Sequence, residues 1–365
     1  MGVTGVQTLM IAGGGTGGHI YPAIAIAREF LSRDPSRKVV FVGTERGLEK
    51  QIVPKAGFPL EYIDVGGLKG KGGLDLIRNI LRLPAGFIQA WRIVGKHRPN
   101  VVLGVGGYSS GPVLVAAGMR GIPTLIHEQN AYPGMTNRAL AKFTRAAAVA
   151  FPEAAERLGR KDAVVTGNPV RKEFFELRRQ PPTANRQRLL IFGGSQGSRI
   201  LNENMTGALL FLARLKDTLD IVHQTGPKDL DTVRKAYRES AFAHARVVPY
   251  LDPIADEIGA ADLVVSRAGA MTIGELAAAG RAAILVPFAA ATNNHQELNA
   301  RAVEKAGGAL VITENELTPE KLAGAIGSVL GDPSRALAMG VAAKKLAAPE
   351  ATKSIVDLVE KIQRD

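Results

Sequence analysis

Residues 10–21 read MIAGGGTGGHIY. An apolar run ends in a glycine cluster and passes directly into an amphipathic pattern, with His19 where that helix begins. The glycines permit a tight turn and let backbone N–H groups approach a ligand closely. A helix start adds partial positive charge, so the turn suits an anionic, usually phosphate-bearing, ligand. A loop that only binds phosphate needs no imidazole, which sets His19 apart. Residues 188–206, RLLIFGGSQGSRILNENMT, repeat the plan of residues 9–27: strand, glycine turn, helix.

Around these two openings the chain alternates short apolar runs with helical patterns, the signature of parallel α/β folding. The first series of strands is expected at 9–12, 39–42, 60–63, 101–105, 124–126, 146–150 and 163–166. A second series is expected at 189–192, 219–224, 245–248, 263–266 and 283–286. Between them, 174–188 is rich in charge, contains Pro181-Pro182, and reads as a linker. The economical architecture is two doubly wound domains facing one cleft. Their expected limits are 1–173 and 189–345, with a C-terminal helix in 346–365 packing back on the first.

Composition narrows the class. A chain of 365 residues is long enough for two cores. The 41 glycines, about 11% against a usual 7% or so, fall largely at strand ends, which favours ligand-binding turns over a flexible tail. With no cysteine, disulfides, thiolate zinc sites and cysteine nucleophiles are excluded. No run approaches the ~18 apolar residues a bilayer span needs. The first residues lack a basic start and a cleavage site, so a cytoplasmic protein without a signal peptide is expected. The net charge of +12 suits nucleic acid, an anionic membrane or phosphorylated substrates. Nucleic acid is disfavoured: aromatic residues make up only 5%, and there is no zinc finger, RNP-type strand or basic helix.

Gly13, Gly15 and Gly18 satisfy G-x-G-x-x-G, and Glu45 stands where a ribose-binding acid of a dinucleotide enzyme would lie. A nicotinamide cofactor would leave the other glycine and polar clusters unexplained. These are LGVGGYSSGP (103–112), HEQNAYPG (127–134), GNPVR (167–171), GGSQGSR (193–199), SRAGAMTIGE (266–275) and PFAAATNNHQELNA (287–300). Each follows an apolar strand. With GGGTGGH they make seven motifs whose order and spacing resemble the bacterial glycosyltransferases that add N-acetylglucosamine to the undecaprenyl-linked muramoyl-peptide precursor of peptidoglycan. The resemblance covers nearly the whole chain.

That resemblance implies a GT-B fold, an α/β architecture of two Rossmann-like parallel-sheet domains facing a cleft. It implies transfer of N-acetylglucosamine from UDP-N-acetylglucosamine to the muramoyl 4-hydroxyl of lipid I, giving lipid II with inversion. Alternatives are a diacylglycerol glycosyltransferase, a UDP-N-acetylglucosamine 2-epimerase, or a nucleotide-sugar-binding protein without catalysis. On the donor side it assigns the helix-opening amides of Ala270, Met271 and Thr272, with Ile273 and Gly274, to the diphosphate end. Glu275 is assigned to the ribose hydroxyls; the plainer reading is a carboxylate favoured by the helix dipole. Ser195 is assigned to nucleotide contact, with helix capping as its rival. Arg171 would supply charge near the phosphates, and the backbone of Leu251 would read the uracil edge. Thr16, Gly17, Gly18 and Asn130 match first-domain positions that contact the donor sugar, and Gln296 matches one that bonds its hydroxyls. Asn293 and Asn294 depart from the family pattern, which often has acidic residues there.

His19 is the first choice of base, with His127 and Glu128 in HEQN as competing candidates; Glu128 could instead orient a neighbouring imidazole. Gly106, Gly107, Tyr108 and Ser109 suit the acceptor's diphosphate. Leu74, Leu76, Ile77, Ile80, Leu81 and Leu83 share one half of a helical wheel, and Phe87, Ile88 and Trp91 follow Pro84. With Lys69 and Lys71 upstream, this segment is the candidate for an anionic membrane surface, a buried helix face being the plainer alternative; Leu74, Ile77, Leu81 and Trp91 stand for it. The enzyme would then be peripheral on the cytoplasmic face of the cell membrane. No metal and no cofactor is expected. Asp229-Leu230-Asp231 matches D-x-D, but it opens a helix, where acids are favoured in any case.

Overall fold

The computed structural model describes residues 7–66, 73–177 and 186–364, and the side chains of all of these except 73–82. The chain divides into two compact units, Met1–Pro169 with Glu350–Asp365, and Val170–Pro349.

The first unit holds strands β1 (Thr8–Ala12), β2 (Lys38–Gly43), β3 (Leu60–Tyr62), β4 (Val101–Gly104), β5 (Thr124–Glu128), β6 (Ala146–Val149) and β7 (Val164–Val165). They form one parallel sheet in the order β3-β2-β1-β4-β5-β6-β7. Both faces are covered, which is why its central strands are apolar at every position rather than at alternate ones. Leu9 and Ile11 enter the core on one face with Ile20, Ile26 and Phe30 of helix Gly17–Ser32. Met10 and Ala12 enter the other, with Val94, Val113 and Leu114. Helix Ala351–Arg364 returns to this unit and buries Ile355, Val356 and Val359 in the first of these cores.

The second unit repeats the plan with β8 (Gln187–Phe192), β9 (Leu219–Gln224), β10 (Arg246–Val248), β11 (Leu263–Ser266), β12 (Ala282–Leu285) and β13 (Ala309–Val311). Its order is β10-β9-β8-β11-β12-β13, again all parallel. In each sheet the strand order reverses beside the first strand, between β1 and β4 and between β8 and β11. That reversal opens a crevice at the strands' carboxyl ends, where ligands of such sheets bind. The glycine turns read from the sequence lie at these two places.

Three differences from the sequence reading have physical causes. β13 went unread because it follows directly on two glycines, Gly307 and Gly308, which read as a turn. The stretch expected as a linker begins with helix Glu173–Glu176, whose Phe174 is fully buried, and it ends inside β8. The first unit therefore ends at Pro169, earlier than the expected 173, and the second runs on to Pro349.

Candidate active site

In the first unit, three loops at the ends of the adjacent strands β1, β4 and β5 come together. Gly14 N donates to the carbonyl of Gly106 at 3.3 Å. A Cβ on Gly107 would lie 2.6 Å from Gly14 O, and one on Gly13 would lie 2.4 Å from Val105 Cγ2. Only glycine allows backbone to meet backbone this closely. Ser110, at the start of helix Ser110–Met119, fastens the pair by donating from Oγ to Ala12 O at 2.7 Å and Gly106 O at 2.9 Å. Gly15 and Thr16 are exposed, and Gly17, Gly18 and His19 half-buried. Tyr108 is exposed, while Ser109 is buried and its hydroxyl has no hydrogen-bond partner among the described residues.

His19 rests on Gly106, where a Cβ would come within 3.0 Å of its Cε1. Its Nδ1 lies 3.0 Å from Gln129 Oε1. The rival bases are placed elsewhere. His127 is wholly buried, with Nδ1 on Gln129 and Nε2 3.4 Å from Gly167 O. Burial, with the nearby His19 acting in the same direction, pulls its pKa down to about 4 against the opposing Gly167 contact. Glu128 is buried too, and both carboxylate oxygens are occupied. Oε1 accepts from Asn130 N and Nδ2, and Oε2 from Gly134 N and Asn137 Nδ2. It braces the 129–134 loop and touches no imidazole. The reason is the strand's alternation: His127 and Gln129 point to one face, and Glu128 points to the other. Both side chains are buried and engaged as they stand, whereas His19 is half-buried. Gln129, the residue that does meet His19, stands in HEQN, but its partner lies 110 residues away in the chain.

Glu49 was also missed. Its buried carboxylate accepts from Gly15 N at 2.7 Å and from Thr44 N and Oγ1, each at 2.9 Å. No motif marks it, since it comes from a helix 34 residues beyond the turn it holds.

In the second unit, helix Ala270–Ala279 opens from Gly269 with no side-chain cap and no acid in its first turn, so the amides of Ala270, Met271 and Thr272 keep their donors for a ligand. Glu275, on the next turn with Ile273 and Gly274, has a side chain only 13% exposed. Burial pushes its carboxyl up to about 7, although Arg171 pulls the other way. Arg171 Nη2 lies 3.3 Å from Glu275 Oε1 and Nη1 3.1 Å from Glu173. Leu251 is buried. Gln296 Oε1 accepts from Phe288 N at 3.0 Å and Ala268 N at 3.3 Å, joining the loops that follow β11 and β12. Arg267, not singled out by sequence, clamps the same loop through Val286 O, Pro287 O and Glu314.

Ser195 is exposed in the GGSQG turn, but it does not cap the helix. Helix Arg199–Leu212 starts four residues later, with Ser198 as its cap. A Cβ on Gly197 would fall 1.9 Å from Thr225 O, so this turn is also packed backbone on backbone. Asp229 of the D-x-D match accepts from Asn202 at 2.8 Å and precedes helix Leu230–Arg238. Among the described residues no cluster of His, Asp or Glu could hold a metal ion.

On helix Gly73–His97 the side chains of Leu74, Ile77 and Leu81 lie outside the described residues, as do Lys69 and Lys71. Trp91 packs half-buried against the core, with the guanidinium of Arg120 4.0 Å above its ring. Ile88, by contrast, is 50% exposed. No helix among the described residues is long and apolar enough to cross a membrane.

The glycosyltransferase family 28 N-terminal domain matches residues 9–149, and the family 28 C-terminal domain matches 188–355. A Myxococcus xanthus protein named UDP-N-acetylglucosamine–N-acetylmuramyl-(pentapeptide) pyrophosphoryl-undecaprenol N-acetylglucosamine transferase is 48% identical over 97% of this chain and 92% of its own length. The crystal structure of Acinetobacter baumannii MurG superposes with a TM-score of 0.80 at 30% identity, covering 97% of this chain and 99% of that one. A Listeria monocytogenes protein described as a putative UDP-N-acetylglucosamine 2-epimerase reaches 0.68 at 14% identity, over 98% of this chain and 97% of its own, and shares the fold alone. The chain is thus a glycosyltransferase of family 28 with a GT-B fold, and it belongs to the UDP-N-acetylglucosamine–N-acetylmuramyl-(pentapeptide) pyrophosphoryl-undecaprenol N-acetylglucosamine transferases.

Proposed function

We propose that this chain transfers N-acetylglucosamine from UDP-N-acetylglucosamine to the muramoyl 4-hydroxyl of lipid I, producing lipid II. The observation that carries the reading is identity of nearly half over almost the full length of relatives that bear this name. The geometry agrees with it. In the second unit, the uncapped amides of Ala270, Met271 and Thr272 take the diphosphate, where charge grows as UDP departs. Glu275 accepts the ribose hydroxyls, and Arg171 steadies that carboxylate. Ser195 reaches the nucleotide, the backbone of Leu251 meets the uracil edge, and Gln296 bonds the sugar hydroxyls.

Inversion requires one in-line displacement, with a base to take the acceptor proton. His19 is that base in the first unit, beside Gly106, Gly107, Tyr108 and Ser109, which take the acceptor's diphosphate. The acceptor's lipid implies a peripheral enzyme at an anionic membrane surface. Helix Gly73–His97 is the docking element, with Ile88 among its contacts, and Lys69 and Lys71 add attraction to anionic headgroups.

The test is UDP release from UDP-N-acetylglucosamine, with and without a short-chain lipid I analogue, with product mass recorded. Acceptor-dependent release with one added N-acetylhexosamine is expected. Binding of UDP without release would overturn the acceptor assignment, and conversion of the donor sugar without transfer would favour epimerisation. His19→Ala should lose turnover heavily with donor affinity nearly unchanged; near-wild-type turnover would remove His19 as base.

A further inference from the structure

We infer that Gln129 is a positioning residue that fixes the tautomer of His19, placing the proton on Nδ1 and leaving the Nε2 lone pair as the one able to accept a proton. The catalytic meaning of this rests on His19 being the base. The tautomer itself follows from geometry within the first unit.

The argument starts from two backbone carbonyls, which can only accept. Val105 O lies 3.1 Å from the Gln129 amide nitrogen, and His127 O lies 3.3 Å from it. These acceptors orient the carboxamide with nitrogen toward β4 and oxygen toward His19, since the flipped amide would set oxygen against oxygen. Gly167 O faces His127 Nε2, so that nitrogen carries the proton. A buried neutral imidazole has only one N–H, so His127 Nδ1 is an acceptor. It takes a Gln129 N–H at 3.1 Å, which confirms the amide's orientation from the other side. Gln129 Oε1 therefore faces His19 Nδ1 at 3.0 Å and can only accept from it. Each link has one consistent assignment, and the last places the proton on Nδ1 of His19. The close seat on Gly106 keeps the ring from turning away. A free neutral imidazole of histidine favours the opposite tautomer, so the Gln129 contact changes which nitrogen is basic.

The experiment is ¹⁵N–¹H correlation of the histidine rings in the full chain at about pH 8.5, where an ordinary imidazole is neutral. The His19 signals are assigned by their loss in His19→Ala. A protonated-type Nδ1 and a lone-pair-type Nε2 are expected in the wild type; the reverse pattern overturns the inference without any variant. Gln129→Met keeps length and bulk but removes the acceptor. It should move His19 toward the Nε2–H form and lower kcat about 10- to 100-fold, with donor KM held within about twofold. A fall in kcat with the ring signals unmoved would make Gln129 merely structural and overturn the inference, as would no change in either. If His19→Ala keeps its turnover, the base assignment falls, yet the wild-type spectrum still decides the tautomer.

Discussion

At the residue scale, the site is built where side chains are missing. Gly106 combines a φ of +93° with a space already filled by the His19 ring, so both backbone and neighbour resist a methyl group. Gly106→Ala should therefore lower kcat while leaving UDP affinity intact, a split that steady-state kinetics with calorimetric UDP titration would show. Equal loss of both would mean the damage spreads beyond the loop. Glu275 makes a different prediction. Its carboxyl titrates near 7 when folded, against an ordinary value of 4.5. As pH rises across that window the unfolded chain loses this proton before the folded chain does, so this residue's contribution to stability falls with rising pH. Glu275→Gln, neutral throughout, should match the wild-type Tm near pH 4.5 and exceed it at about pH 8, while binding UDP less well. A Tm difference that does not depend on pH would refute the shifted titration. The glycine turns that carry the candidate site were legible because glycine leaves a mark in sequence. Gln129, Glu49 and Arg267 were not, since each acts through a partner that only the fold brings near.

At the element scale, twelve strands were legible because both faces of each sheet are covered, so central strands read as unbroken apolar runs between turn residues. β13 was not; it follows directly on Gly307 and Gly308. The C-terminal helix shows which of its contacts matters. Arg33 and Arg37 reach Asp357 and Glu360 at 2.6–3.1 Å. Asp357 is 58% exposed, and an exposed pair contributes about 0–1 kcal/mol, whereas emptying a buried isoleucine site costs about 2–5 kcal/mol. Ile355→Ala should thus weaken the first unit by that larger amount, and Asp357→Asn should do little. Urea unfolding of the two variants would rank them; a larger effect from Asp357→Asn would reverse the argument.

At the scale of the whole molecule, each unit has its own core, the second around Leu189, Ile191, Met205 and Val265, and the first on the two faces of its sheet. Calorimetry should accordingly show more than one transition, because a multidomain chain need not unfold as one unit. UDP at about 100 times its Kd should stabilise the second unit by roughly 2.7 kcal/mol and leave the first nearly unmoved. Ile355→Ala should lower only the other transition, and a single peak moved by both would contradict this. The glycine turn after β1 and the helix start after β11 look equally fit for an anion as text, yet Glu49 separates them. In the first unit its buried carboxyl group already occupies the Gly15 N–H. The second unit's helix at Ala270 offers bare amides with no acid in its first turn. One amide of the first turn is thus already spoken for by the protein itself, while those that open the Ala270 helix are left for whatever comes from outside.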